Sequence, residues 1–229
     1  MVYLKTLALI FLGLLFFMQL LTASWYDLVK KSGEPKRAFK HKLICSLIYT
    51  AVFLLCAAIG KASMDLFSLL FGIAIASLFI YDLTSEKQQK FFRIISALLS
   101  SAAYILIATA FYFKNKELFS FTPFSHGVRI AIVAAVCVLS FVINIKSQSL
   151  SAAISCMYML INAVLIGIAL QKSGQAMNQA ASCAVIIGSS CIAISNLLPI
   201  FDNADKKSLL RTNMYYFGLM FISCSVAVL

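Results

Sequence analysis

Charged side chains are scarce in this sequence. They make up 12% of its 229 residues, whereas soluble globular proteins carry about a quarter. Acidic residues are the scarcest, with 8 Asp and Glu against 19 Lys and Arg, while hydrophobic residues reach 62%. A globule of this composition could not be covered with polar surface. The composition therefore argues against a water-soluble protein and indicates a chain that lies in lipid.

Metal-ligand clusters and common catalytic motifs are also missing. The two histidines, His41 and His126, are far apart, and the seven cysteines lie in apolar runs without a CxxC pair. A metal site needs clustered ligands, and the sequence has no GxSxG elbow and no Gly-rich phosphate loop. We therefore expect no metal and no cofactor, and we interpret the cysteines as small apolar side chains.

Long continuous apolar runs, such as 7–21, dominate the sequence instead. Backbone groups in lipid must hydrogen-bond internally, so only helices or closed barrels span a membrane. Barrel strands alternate apolar and polar residues, which these runs do not, and about 20 residues suffice for a spanning helix. We predict an all-α, polytopic transmembrane bundle forming one domain, 1–229, with about eight helices near 4–24, 43–60, 66–81, 91–113, 128–145, 150–170, 180–200 and 212–229.

Basic residues are distributed unevenly between the predicted loops. The odd-numbered loops carry 13 of the 19 Lys and Arg, and a basic first loop, 30–42, holds six of them. Cytoplasmic loops are enriched in Lys and Arg, so both termini are predicted outside an inner or plasma membrane. The net charge of +11 then indicates contact with membrane lipids and not with nucleic acid.

The first apolar segment has two interpretations. Lys5, the apolar run and Thr22-Ala23-Ser24 together resemble a cleaved signal peptide. The run is long for such a peptide, however, and the pair Trp25-Tyr26 that follows is typical of a membrane interface. We favour a helix that is retained.

Four charged residues lie at predicted helix ends on one membrane face: Lys42, Asp82, Arg93 and Asp202. One interpretation is that they are interfacial anchors. The other is a headgroup-sized pocket in which the two carboxylates divide acid and base roles and the two cations bind a phosphate. No charge lies at the centre of a predicted helix, which argues against a proton relay or voltage sensor.

Polar uncharged residues within the spans are few. Asn144, Asn162 and Asn196 are expected to bond neighbouring helices, with substrate contact as the alternative. Small residues, as in Gly72-xxx-Ala76 and at Gly188, allow helices to approach closely.

The order of these features resembles the YhhN-like family of membrane proteins, whose animal relatives are lysoplasmalogenases. The similarity extends from Lys42 to the end of the chain. Lys42-Leu43 is similar to a Lys-Pro at a helix start, and 77–83 resembles a Ser-x-x-Gly-Asp stretch, with one residue inserted and Tyr81 in place of Gly. The resemblance assigns Asp82 to acid–base chemistry and implies about eight helices.

Three further segments carry the resemblance. Ser101-Ala102-Ala103-Tyr104 is similar to a His-x-x-Tyr motif, with Ser in place of His. Segment 188–196 resembles the seventh helix, with Ser189 or Ser190 in place of Asp, and 214–216 resembles the start of the last helix. The resemblance adds Tyr104, Ser189 and Asn196 to Lys42 and Arg93 as substrate-binding candidates, and Asp82 and Asp202 remain the catalytic candidates.

Three functions are compatible with these residues. The favoured one is a lipid-interacting relative of the family that has lost catalysis, since two polar motif positions are replaced. The second is a hydrolase that cleaves the vinyl ether bond of lysoplasmalogen, which implies a lysophospholipid ligand. The third is a transporter of a small solute.

Overall fold

Long α-helices make up most of the chain that the structure describes. The structure is a computed structural model and describes residues 2–59, 66–86, 89–118, 134–136, 138–139, 148–172, 175–201 and 208–227. Seven long helices lie in these residues: α1 Val2–Lys31, α2 Pro35–Ile59, α3 Leu66–Ser85, α4 Lys90–Leu118, α5 Gln148–Lys172, α6 Ala176–Phe201 and α7 Ser208–Ser225.

Length and composition make this an integral, multi-pass membrane protein. Six of the described helices, α1 to α6, are long and apolar enough to cross a bilayer. The prediction of an all-α membrane bundle is therefore confirmed. The predicted fifth segment, 128–145, lies outside the described residues apart from 134–136 and 138–139, which are helical.

The prediction of a basic loop at 30–42 is wrong. Helix α1 continues to Lys31 and α2 already begins at Pro35, so only three residues separate them. Gly33 adopts φ 78°, the left-handed conformation that commonly ends a helix. Pro35 then occupies the first helical position, where its missing N–H costs no hydrogen bond. Lys and Arg are good helix formers, so the basic residues extend both helices beyond the apolar core.

The described helices form a closed ring. Each of α1 to α6 packs against the next helix in the chain, and α7 packs against α6, α1 and α2. Helix α7 is the shortest and carries Arg211 and Asn213, but Tyr215, Tyr216 and most of its later side chains are buried. Helices α1 and α7 therefore meet, and Tyr215 and Tyr216 point into the bundle, whereas Arg211 is exposed.

Helices α4 and α5 run in the same direction. The hydroxyls of Ser101 and Ser151 are 3.1 Å apart, and the Tyr104 hydroxyl reaches the Cys156 thiol. The contact further along α4 is also the one further along α5, so the two helices are parallel. This is the arrangement that one crossing between them, as predicted for 128–145, would require.

Close backbone contact joins α6 to α7. A Cβ atom on Gly188 would lie 2.8 Å from the carbonyl oxygen of Gly218, and a Cβ atom on Gly218 would lie 2.6 Å from that of Gly188. Only glycine fits at both positions, as in many membrane helix pairs. The contact packs the backbone of α6 directly against that of α7.

Candidate functional site

Asp82 is a buried carboxylate near the end of α3. Its side chain is 1% exposed, and its Oδ2 accepts hydrogen bonds from the hydroxyls of Ser46, at 2.7 Å, and Tyr49, at 3.3 Å, both on α2. Its other oxygen, Oδ1, is buried and has no hydrogen-bond partner among the described residues. One oxygen of the carboxylate is therefore held in place and the other is free to accept a proton or a hydroxyl.

The absence of a cation at hydrogen-bond distance distinguishes Asp82 from the other described acidic side chains. Asp27 pairs with Lys31 at 2.8 Å, Glu34 with Arg37 at 2.9 Å and Glu86 with Lys42 at 3.1 Å. Asp82, in this part of the chain, has only hydroxyl donors. A buried charge without an ion-pair partner is costly, so Asp82 is a candidate functional residue.

Two tyrosines of α7 complete the surroundings of Asp82. Tyr216 stacks on Tyr49 with ring centroids 6.2 Å apart, and Tyr215 meets Tyr81 edge-on at 6.3 Å. Both α7 tyrosines interact electrostatically with Asp82. Their hydroxyls are buried and, among the described residues, lack hydrogen-bond partners. We call Ser46, Tyr49, Asp82, Tyr215 and Tyr216 the Asp82 cluster.

A second polar group lies one helical turn further along α3. Glu86 Oε1 accepts from the hydroxyl of Tyr26 and from the ammonium groups of Lys30, at 3.2 Å, and Lys42, at 3.1 Å. Lys42 also donates to the hydroxyl of Ser85. We call Tyr26, Lys30, Lys42, Ser85 and Glu86 the Glu86 cluster. It joins α1, α2 and the end of α3 through one carboxylate.

The cations of this cluster hold Glu86 in its ionised form. Burial alone would raise the pKa of Glu86, but Lys42, the hydrogen bond from Tyr26 and Lys30 together outweigh burial and lower the pKa to about 2. The carboxylate is therefore charged throughout the physiological pH range and is committed to these partners.

Lys42 connects the two clusters. It is 8% exposed, its carbonyl oxygen accepts from the Ser46 hydroxyl at 3.0 Å, and it interacts electrostatically with both Asp82 and Glu86. Its ammonium lies 5.8 Å from the ring centroids of Tyr26 and Tyr81. A phosphate that reached Lys42 would have to compete with Glu86 for this charge.

The other candidates occupy different places. Tyr104 is buried on α4, and its hydroxyl accepts from the side-chain amide of Asn196 on α6 at 3.2 Å. Ser189 is fully buried, and its hydroxyl has no described partner. Arg93 is exposed on α4, outside both clusters, and Asp202 lies outside the described residues. The structure thus brings Lys42 and Asp82 together, and Tyr104 with Asn196.

Sequence reasoning missed Glu86 and Tyr26. Two spacings could have revealed them: Asp82 and Glu86, like Tyr26 and Lys30, are four residues apart and so share a helix face. That signal required α1 and α3 to continue beyond their apolar runs. The predicted ends at 24 and 81 concealed both pairs.

The described part of the chain contains no group of three or more His, Cys, Asp or Glu side chains that could hold a metal ion. What the Asp82 cluster offers instead is one free carboxylate oxygen and several hydroxyl groups in an apolar bundle. Such an arrangement can bind a hydroxyl-bearing molecule or transfer a proton.

No family model, no curated protein and no solved structure matches this chain.

Proposed function

We propose that this membrane protein binds a lysophospholipid, with the Asp82 cluster receiving the polar part of the ligand. The observation that carries the proposal is the buried Oδ1 of Asp82, which lies near the buried hydroxyls of Tyr215 and Tyr216; none of these three atoms has a hydrogen-bond partner among the described residues. Buried polar atoms are nearly always hydrogen-bonded, so these three atoms are suited to hydrogen bonds with a bound molecule.

A lysophospholipid has the groups that these residues require. Its free glycerol hydroxyl can donate to Asp82 Oδ1, and its oxygens can accept from the two tyrosine hydroxyls. Its phosphate fits the ammonium groups of Lys30 and Lys42, which share the single carboxylate Glu86. Its acyl chain is compatible with the surrounding apolar bundle. This assignment agrees with the resemblance to the YhhN-like family, which remains an expectation from the sequence.

A second candidate function is hydrolysis of the vinyl ether bond of lysoplasmalogen, and the free Asp82 Oδ1 favours it. In its protonated form Asp82 would give a proton to the enol ether carbon, leaving an oxocarbenium ion. Water would then attack the cation and return a proton to Asp82. The resulting hemiacetal breaks down to an aldehyde and a glycerophospho-headgroup, so one water is consumed and the carboxyl is regenerated.

The transporter interpretation has less support. Transporter sites are typically formed near the bilayer midplane by interrupted helices. The polar clusters here lie near the ends of α3 and α1 and the beginning of α2, and all three helices are continuous. We further propose that this end of the bundle faces the cytoplasm of an inner or plasma membrane, with both termini outside, because the odd-numbered loops are basic.

Lipid binding and hydrolysis are separated by one comparison. Purified protein in detergent is titrated with lysoplasmalogen and with an acyl lysophospholipid, and thermal unfolding and aldehyde release are measured. We expect both lipids to raise the melting temperature of the wild type. Asp82→Asn keeps the shape of the side chain but accepts protons and hydroxyls less well, so we expect the ligand-induced shift to fall sharply.

Lys172→Gln is the control, because Lys172 is exposed at the end of α5 and lies outside the Asp82 cluster. It should bind both lysolipids like the wild type. Aldehyde release by the wild type that is lost in Asp82→Asn would establish the hydrolase. Equal lipid-induced shifts in the wild type and in Asp82→Asn would refute the assignment of the site.

A further inference from the structure

A surface groove lies where α1 meets the beginning of α2, away from the Asp82 cluster. Its volume is about 430 Å³, and it is lined by Trp25, Leu28, Val29, Ser32, Glu34, Arg37 and His41. One wall is therefore apolar and the other is polar and basic. Trp25 and His41 face each other across the helix pair, with ring centroids 6.3 Å apart.

The apolar wall continues along α1. Large exposed side chains recur every three or four residues and end in the groove: Phe11, Leu14, Met18, Leu21, Trp25 and Leu28, each at least half exposed. This spacing places them on one face of the helix. The stripe is long enough to lie beside an acyl chain from the interface inward. Trp25 lies near the C-terminal end of this stripe, and tryptophan is typical of the headgroup level of a membrane.

The polar wall carries excess positive charge. Arg37 pairs with Glu34 through one guanidinium nitrogen and remains 72% exposed. Lys36 and Lys40 do not line the groove, but they are exposed on the same first turns of α2, next to Arg37 in the chain or one turn from it. No carboxylate in the described part of the chain pairs with them. Lys30 and Lys42, by contrast, belong to the Glu86 cluster. Three cations with one competing carboxylate are complementary to an anionic headgroup.

We propose that this groove binds an anionic phospholipid of the surrounding leaflet, with the phosphate at Arg37 and Lys36 or Lys40 and an acyl chain along the α1 stripe. Arginine and lysine beside a membrane span attract anionic headgroups, and a free guanidinium edge suits a phosphate. The site is separate from the Asp82 cluster. It would anchor the α1–α2 pair in a leaflet that contains acidic lipid.

The test uses the purified full chain in detergent, titrated with phosphatidylglycerol or phosphatidylcholine of identical acyl chains. Thermal unfolding reports stabilisation, and native mass spectrometry reports retained lipid. We expect phosphatidylglycerol to raise the melting temperature and phosphatidylcholine to leave it almost unchanged. Removing the charges in Lys36→Gln/Arg37→Gln/Lys40→Gln should weaken retention of phosphatidylglycerol, by about fivefold per charge removed.

Two single variants sharpen the result. Glu34→Gln removes the competing carboxylate and frees Arg37, so it should strengthen retention of phosphatidylglycerol. Lys172→Gln removes an exposed charge at the end of α5 and should have no effect. Added salt at roughly 0.5 M screens the charges, so it should reduce the stabilisation of the wild type by phosphatidylglycerol. The same salt should not change the response of the triple variant to this lipid.

Four outcomes would overturn the proposal. Equal stabilisation by the two phospholipids, or full retention by the triple variant, would show that the basic wall does not select the headgroup. Equal stabilisation by glycerol phosphate would show that the site takes a free phosphate and that the stripe contributes nothing. A dimer by light scattering that excludes lipid would assign the stripe to a second copy of the chain.

Discussion

Glu86 concentrates three interactions on one oxygen atom. Tyr26, Lys30 and Lys42 all donate to Oε1, and they come from two different helices. A carboxylate that accepts several hydrogen bonds is held rigidly in place. Each hydrogen bond also offsets part of the free-energy cost of burying its charge. Glu86 therefore links α1, α2 and the end of α3, and its removal would weaken the packing of all three helices.

Glu86→Gln tests how much this link between helices contributes to stability. The variant keeps the size of the side chain but leaves Lys42, which is 8% exposed, without a charged partner at hydrogen-bond distance. Breaking a buried ion pair on one side is strongly destabilising, and because Glu86 is partly exposed we expect a loss of roughly 2 kcal/mol. Thermal unfolding in detergent should show a lower melting temperature. Glu34→Gln, which breaks an exposed pair, should change it little.

The lowered pKa of Glu86 predicts how stability depends on pH. The pKa is about 2 in the folded protein and 4.5 ordinarily, so the folded state binds this proton more weakly than the unfolded state does. The stabilisation is therefore complete above about pH 4.5 and is lost as pH falls towards 2. The difference in melting temperature between wild type and Glu86→Gln should shrink across this window. A difference that stayed constant from pH 6 to pH 3 would contradict this account.

At the scale of elements, the pair α6–α7 depends on two glycines that admit no side chain. Gly218 and Gly188 each face the other's carbonyl oxygen so closely that an added methyl group would clash with it. The approach also allows the Ser195 hydroxyl to donate to the carbonyl of Arg211 at 3.0 Å. Separation of the two helices would therefore break a polar contact as well as apolar packing.

Gly218→Ala should destabilise the bundle, because the added methyl group forces backbone apart and cannot be relieved by a side-chain rotation. We expect a loss of about 2 kcal/mol, as for other overpacked positions, measured by thermal unfolding. Gly13→Ala is the matched control, since nothing lies within 4 Å of a Cβ atom there. Alanine is also the better helix former, so Gly13→Ala should be neutral or stabilising. Equal effects of the two substitutions would refute the close-contact explanation.

The sequence predicted the helices well but not their ends. Apolar runs identify the part of a helix that lies in hydrocarbon, so the predicted segments 66–81 and 150–170 lie within α3 and α5. Helices α1 and α2 extend past those runs because Lys, Arg and Glu also form helices well, and hydropathy carries no information about that extension. The turn at Gly33 and Pro35 was readable from known capping preferences, but the basic charges drew the interpretation towards a loop.

The site was predictable only in part, for a related reason. Parity placed Lys42 and Asp82 at one membrane face, and the structure brings both to the same end of the α2–α3 pair. Which side chains touch Asp82 depends on the rotation of each helix about its axis. Single-sequence patterns fix that rotation poorly in a bundle whose helices are apolar on every side. The two tyrosines of α7 reach Asp82 only because the ring closes, which no local pattern shows.

At the scale of the whole molecule, the polar clusters lie at the end of the bundle that carries most of the basic residues. If the odd-numbered loops are cytoplasmic, both ends of the chain lie outside. Fusions of an enzyme reporter that is active only in the cytoplasm should be active after Ser32, in the α1–α2 turn, and inactive after the last residue. Activity of the C-terminal fusion would contradict the proposed orientation or the number of crossings.

The contact of α7 with α1 and α2 has a consequence for biogenesis. Helices enter the membrane in chain order, so Tyr49 of α2, which stacks on Tyr216 of α7, stays uncovered on that side until α7 is inserted. During that interval Asp82 keeps its hydrogen bonds from Ser46 and Tyr49 but lacks the two tyrosines of α7 beside it. Quality control by membrane proteases or insertases is therefore most needed before α7 is inserted, and a chain that lacks α7 would be the most vulnerable intermediate.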